Sequence, residues 1–182
     1  MFKTYFNYDR SPDDPVIAAN ALSCVSRVAA SHRVMPTVLH QSGVCDGVVK
    51  LIKRHVGQGQ VLHHGALAVH IMSSDNDEVR EKFGLLAACE IIPRMLKSHA
   101  SEPEVVLSCC TAIATLGLSK ENRVRFSPTV ACEVVVQGLS KHLDKPDVTE
   151  KALYACISLA TGHLENSGKL VLAGACAGSF CY

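Results

Sequence analysis

Apolar residues recur along this chain at helical spacing, and the whole pattern then recurs at a longer period. In the first copy Ile17, Ala21, Cys24, Val25 and Val28 fall at i, i+4, i+7, i+8 and i+11, the rhythm of one helix face. The counterparts of Ile17 are Leu62, Val105 and Val148. A second family of helical faces reads Val44, Val48, Leu51, Ile52; then Ala88, Ile92, Met95, Leu96; then Ala131, Val135, Gly138, Leu139. Each of these starts beside a cysteine: Cys45, Cys89, Cys132, with Cys176 in the same place in a fourth copy. The cysteines are 44, 43 and 44 residues apart. Six residues before each stands a large apolar residue: Leu39, Phe83, Phe126 and Leu170. A small one, Ala21, Ala66, Cys109 or Ala152, lies 23 or 24 residues before it. A period of this length over four copies predicts a helical solenoid, and no β-alternating segment competes with it.

Three helices are predicted per unit. The longest follows a turn. Ser11-Pro12-Asp13-Asp14, Ser101-Glu102-Pro103-Glu104 and Asp144-Lys145-Pro146-Asp147 each place an acid three residues after a cap residue, which reads as a capping box. Gly57-Gln58-Gly59 breaks the chain at the same point in the second copy. Next comes a short helix, whose extent Pro36 and Pro128 limit. The last helix starts near the marker cysteine, and Pro93 makes the second copy start late or bend. The chain is expected to be a single domain, 1–182, of repeat-like units at about 12–55, 56–99, 100–142 and 143–182, the last incomplete.

This organisation resembles the armadillo repeat. Ser42-Gly43-Val44-Cys45-Asp46-Gly47-Val48-Val49-Lys50-Leu51-Ile52 is similar to the family's "GAIPxLVxLL" segment. Glu121-Asn122 and Glu165-Asn166 resemble the "EN" before its short first helix. Ala152-Leu153-Tyr154-Ala155-Cys156-Ile157-Ser158-Leu159-Ala160 resembles "AxxALxNLA". The likeness spans about residues 12 to 180. It implies an all-α, right-handed α-solenoid, an armadillo-type superhelix of three-helix repeats. The proline that starts the family's second helix is replaced by Asp46, Glu90 and Glu133. Because the family's solenoids end in caps, the chain is expected to be a piece of a longer protein, or to have an end covered by another chain.

The resemblance also implies a concave face lined by the third helices. Members of the importin-α kind present a Trp and an Asn there to hold basic peptides. At the Trp position this chain has Ser23, Ala68, Thr111 and Tyr154. At the Asn position it has Arg27, Met72, Thr115 and Ser158. One turn earlier stand Ala19, His64, Leu107 and Glu150. Neither ladder is kept, so recognition of nuclear-import peptides is not expected. These twelve residues are the expected partner-binding set, with Arg27, Met72 and Tyr154 as anchors, residue types enriched at interfaces.

Composition narrows the chemistry. With 48% hydrophobic and 19% charged residues the chain is globular. A net charge of +1, 5% aromatics and no Trp give no nucleic-acid footprint. No stretch is long and apolar enough for a membrane span, and the first residues lack the apolar run of a secretory leader. Equivalent cysteines of stacked repeats lie too far apart to bridge, and no zinc-type spacing occurs. Cysteine therefore reads as a small buried hydrophobe, which points to a reducing cytoplasm. His63, His64 and His70 lack a further metal ligand at helical spacing. His55, His99 and His142 recur at helix ends, where they suit a capping role. Lys50, Lys53, Arg54, Arg94, Lys97 and Lys141 read as a solvated outer flank. No phosphate loop, HExxH, G-x-S-x-G or dinucleotide fingerprint is present.

The expected function is non-catalytic: a scaffold or adaptor that uses no cofactor and no metal and holds an extended peptide or helix of a protein partner in its groove. The alternative is a regulatory or oligomerisation module of a larger protein, forming homo- or hetero-oligomers through its open ends, for which Phe6 and Phe180 are the test positions.

Overall fold

A computed structural model of the chain describes residues 13–175. Among these, eleven α-helices and one short 3₁₀ turn occur, and no strand. In order they are α1 (Pro15–Ser31), α2 (Met35–Gln41), α3 (Val44–Arg54), α4 (Gly59–Ser73), α5 (Asp77–Leu85), α6 (Ala88–Leu96), α7 (Pro103–Leu116), α8 (Lys120–Phe126), α9 (Ala131–Lys141), α10 (Pro146–Ala160) and α11 (Leu164–Leu172). The 3₁₀ turn, Lys97–His99, extends α6. The four long helices α1, α4, α7 and α10 pack side by side in that order. The shorter pairs α2–α3, α5–α6 and α8–α9 stack behind them.

Apolar packing runs through the whole stack as one cluster, from Ala18 to Leu170. The marker residues lie inside it. Leu39, Phe83, Phe126 and Leu170 are buried, as are Cys45, Cys89 and Cys132. The fourth cysteine, Cys176, and the positions Phe6 and Phe180 lie outside the described residues. The predicted faces of α3, α6 and α9 are buried as read. Gly138 shows why small residues matter here: a Cβ on it would stand 2.7 Å from Val106 Cγ1 of α7.

Several local readings are corrected. The second and third capping boxes do not form, and Ser11 of the first lies outside the described residues. Asp14 is itself the cap of α1, accepting from Val16 N at 2.7 Å and from Ile17 N. Glu102 and Lys145 cap α7 and α10 without a side-chain bond. Proline at the first turn makes the start instead, since its φ is already helical and the missing N–H has no partner there anyway. Pro36 likewise opens α2 rather than limiting it. Pro93 sits inside α6, which starts on schedule and ends in the 3₁₀ turn. The apolar stripe of α1 is Ala18, Leu22, Val25 and Ala29; Ile17 is 48% exposed and Cys24 is exposed. In the later units the corresponding positions are buried: Val61, Val105 and Val148 for Ile17, and Ala68, Ala112 and Ala155 for Cys24.

Polar groups stitch the layers. Asn122 Nδ2 donates to Arg80 O (3.0 Å) and Leu116 O (3.2 Å), and Asn166 Nδ2 donates to Arg123 O (3.2 Å) and Leu159 O (3.1 Å). Arg80 and Arg123 each reach back to the end of a long helix, donating to Ser74 O and Gly117 O at 2.8 Å. His55, His99 and His142 are all buried at helix ends. His142 Nε2 bonds to Ala100 O in the preceding unit at 3.0 Å.

Candidate functional site

The exposed side of the long helices is the face that carries the predicted binding residues. Helix starts give its register. Pro15, Gly59, Pro103 and Pro146 are the first residues of α1, α4, α7 and α10, so Ser23, Leu67, Thr111 and Tyr154 are equivalent. The predicted set took Ala68 in the second unit, one residue late. A slip of one residue turns a side chain by about 100° around a helix. That slip carries Ala68 and Met72 into the core, where both are fully buried. The α4 positions that share the face are His63, Leu67 and Ile71, all half-buried. Met72 therefore offers no exposed surface as an anchor. Ala19, Thr115 and Ser158 are also buried. Ser23, His64, Leu107 and Thr111 are half-buried, and Arg27, Glu150 and Tyr154 are exposed.

Histidines bridge α4 and α7 at both ends of the face. His63 Nδ1 donates to Glu104 O at 3.1 Å. The His63 and His64 rings meet edge to face, with centroids 4.8 Å apart. Burial, then His63 and Arg27, holds His64 below the ordinary histidine pKa. Further along, His70 Nδ1 lies 2.7 Å from Thr115 Oγ1, and Thr115 Oγ1 lies 2.9 Å from Thr111 O. Burial, then the charge of Lys151, holds His70 low as well.

Between α4, α7 and α10 the face opens into a cavity of about 340 Å³. Its walls include His70, Thr111, Leu118, Lys151, Tyr154 and Ile157. Tyr154 is 53% exposed and Ile157 61%. Lys151 Nζ pairs with Glu150 Oε1 at 2.9 Å and sits 5.4 Å from the Tyr154 ring centroid. Of the predicted residues, the cavity brings together Thr111, Thr115, Tyr154 and Ser158; Arg27 and His64 lie elsewhere on the face. His70, Lys151 and Ile157 were missed. His70 and Ile157 are equivalent, each eleven residues after its helix start, a column that repeat alignment by helix start would have shown. A cavity of similar size lies at the ends of α1 and α4, beside Arg33 and Asp75. Another, of about 370 Å³, lies between the starts of α7 and α10, beside Glu104 and Asp147.

Thiol chemistry is suppressed in the core. Burial pushes Cys45 up to about 12 and Cys132 up to about 11, and raises Cys89, Cys109 and Cys110. Among the described residues no cysteine is held in a disulfide. Nor do any three described His, Cys, Asp or Glu side chains converge to hold a metal ion. No described helix is long and apolar enough to cross a membrane.

No family model matches the chain, and no curated protein matches it by sequence. Solved structures do. An engineered protein from a structural genomics consortium superimposes with a TM-score of 0.81 at 20% identity, over 96% of this chain and 69% of that one. A designed armadillo repeat protein in complex with the peptide (KR)4 gives 0.76 at 22% identity, over the same shares. A further designed armadillo repeat protein gives 0.77 at 22% identity, again over 96% and 69%. The eleven helices of the described residues, stacked in three-helix units and superimposing on designed armadillo repeats, give this chain the armadillo-type fold, a right-handed α-solenoid.

Proposed function

We propose that the protein is a non-catalytic scaffold that holds an extended peptide or a helix of a protein partner against the long-helix face. The observation that carries this reading is the preformed cavity between α7 and α10, where Tyr154 and Ile157 stand exposed beside a packed histidine–threonine shelf. Rigid stacked helices offer that surface with little ordering cost on their side of the interface. A designed protein of the same fold holds a peptide, (KR)4. Here Arg27 stands exposed on the face and Glu150 is already paired with Lys151, which disfavours so basic a ligand. The buried thiols, with no disulfide among the described residues, suit a reducing compartment, the cytoplasm.

The test is selection of peptides from a random display library on the wild-type protein, then titration against a Tyr154→Ala, Ile157→Ala variant. Loss of binding by at least about tenfold, with an unchanged circular dichroism spectrum, is expected, since truncating an interface anchor costs more than about 1 kcal/mol. Equal binding to the variant rules the groove out. A second reading, association through the end of the stack, draws support from Leu164 and Leu172, 90% and 89% exposed on α11. It expects light scattering to report an oligomer that Leu164→Lys with Leu172→Lys dissociates.

A further inference from the structure

The threonine and serine hydroxyls that line the cavity between α4, α7 and α10 share one property: their hydrogens are already committed. Thr111 Oγ1 donates to Leu107 O at 2.7 Å, and Thr115 Oγ1 to Thr111 O at 2.9 Å. Ser158 Oγ donates to Ala155 O at 3.1 Å, and Thr161 Oγ1 to Ile157 O at 2.7 Å. Each is a hydroxyl bonding back to its own helix. The Thr115 bond in turn assigns the histidine. With its hydrogen on Thr111 O, Thr115 Oγ1 can only accept from His70 Nδ1, 2.7 Å away. Ser74 Oγ, the other neighbour of Nδ1 at 3.3 Å, gives its hydrogen to His70 O at 2.8 Å. The tautomer that makes all of these bonds carries the proton on Nδ1. Nε2 is then a bare lone pair on a ring that lines the cavity.

His70 and these hydroxyls thus present hydrogen-bond acceptors to the cavity, set among the apolar surfaces of Ala114, Leu118, Ile157 and the Tyr154 ring, whose own O–H is the one neutral side-chain donor left on the walls. Its one charge is Lys151, and no acidic residue lines it. A guanidinium or ammonium would meet no acid on the walls, and the nearby Glu150 is already paired with Lys151. A carboxylate would find Lys151 already paired with Glu150 at 2.9 Å and would otherwise meet lone pairs and apolar walls, at the cost of leaving water. A neutral donor on a flat apolar body fits both features. The volume, about 340 Å³, is at the small end of the range of about 300 to 1,000 Å³ for ligand pockets, room for one large side chain.

We infer that this cavity is a specificity pocket for a tyrosine or tryptophan side chain of the bound partner, whose O–H or N–H donates to His70 Nε2 while its ring packs on Tyr154 and Ile157. The inference rests on the scaffold reading above and adds the chemistry of one recognised residue. Neutrality of His70 supports it, since burial and Lys151 both disfavour the imidazolium at neutral pH.

The test is NMR titration of isotope-labelled protein with four probes: N-acetyltyrosinamide, its O-methyl ether, N-acetylphenylalaninamide and N-acetylargininamide. The tyrosine probe is expected to shift the amide signals of Thr111, Thr115 and Tyr154 and the Nε2 signal of His70. It should bind about three- to tenfold tighter than the ether or the phenylalanine probe, the worth of one net hydrogen bond. His70→Asn keeps an N–H where Nδ1 stands and removes Nε2, so it should erase that preference. The ether comparison needs no variant and stands if His70→Asn fails to fold. Equal binding of the ether, tightest binding of the arginine probe, or no saturable shift of these signals overturns the inference. Selected peptides that bind the groove without an aromatic donor would overturn the pocket and leave the scaffold standing. A tyrosine preference with no peptide held would do the reverse.

Discussion

The side-chain amide of Asn122 reaches across one whole repeat to the carbonyl of Arg80, 42 residues earlier, at 3.0 Å. Asn166 repeats the bond to Arg123, 43 residues earlier. Both asparagines are fully buried, so each holds two helices of adjacent units together where water cannot substitute. Gly84 faces the Asn122 amide so closely that any Cβ there would run into Oδ1.

Asn122→Ala should therefore leave Arg80 O and Leu116 O without their side-chain donor, at a cost of about 2–4 kcal/mol. Gly84→Ala should displace the same amide and cost a comparable amount. Urea denaturation of both single variants and the double variant checks this. Because one bond set is lost in each case, the double variant should lose much less than the sum.

Gly138→Ala should test how closely α9 approaches α7. The added methyl meets Val106 Cγ1 at 2.7 Å, and overpacking of this kind costs about 1–3 kcal/mol, against a helix-propensity gain of up to about 1 kcal/mol. Adding Val106→Ala removes the clash. Thermal melts of the four species in that cycle should give a favourable coupling between the two alanines.

Thiol labelling should divide the cysteines by position. Cys24, exposed on α1, is expected to react with a maleimide within minutes, and Cys45, Cys89, Cys109, Cys110 and Cys132 only after unfolding. Mass spectrometry of the labelled peptides reads the order. The same burial makes stability fall in base. A thiol raised from 9.0 to about 12 at Cys45, or about 11 at Cys132, keeps its proton in the folded state while the unfolded chain loses it. Unfolding then releases protons, so this contribution is whole below about pH 9 and fades as pH rises through the folded values. Melting temperature against pH should decline less steeply between pH 9.0 and about 11 in a Cys45→Ala, Cys132→Ala variant than in the parent.

Acid should act through His64 and His70. Both are held below 6.5, so the unfolded chain binds more protons than the folded one as pH falls past that value. Stability should drop below pH 6.5, and the drop should be smaller in His70→Asn. Denaturation midpoints taken from neutral to mildly acidic pH check the sign.

Periodic residues made the fold legible. Leu39, Phe83, Phe126 and the buried cysteines recur at one register, and only stacked units satisfy such a pattern. The site was harder to read. Tyr154 and Thr111 were placed by their repeat position, but Met72 was assigned to the surface because the second unit was aligned one residue late. Cysteine spacing cannot detect such a slip, since it marks the start of α3, α6 and α9 and not that of the long helices. His70, Lys151 and Ile157 join Tyr154 only through side-by-side packing of α4, α7 and α10. Asn122 and Asn166 were visible as letters of a motif, while their job, spanning two units, was not.

Sequence alone determined that this protein is a stack of three-helix units with the repeat-register cysteines Cys45, Cys89 and Cys132 inward, because helical periodicity and a fixed repeat length are properties of the chain itself. Tertiary structure decided which side chains meet across units and which face the cavity. Those relationships depend on helix rotation and on separations of a few ångströms between residues about 40 positions apart, and a one-residue shift in register changes them while leaving the apolar pattern intact.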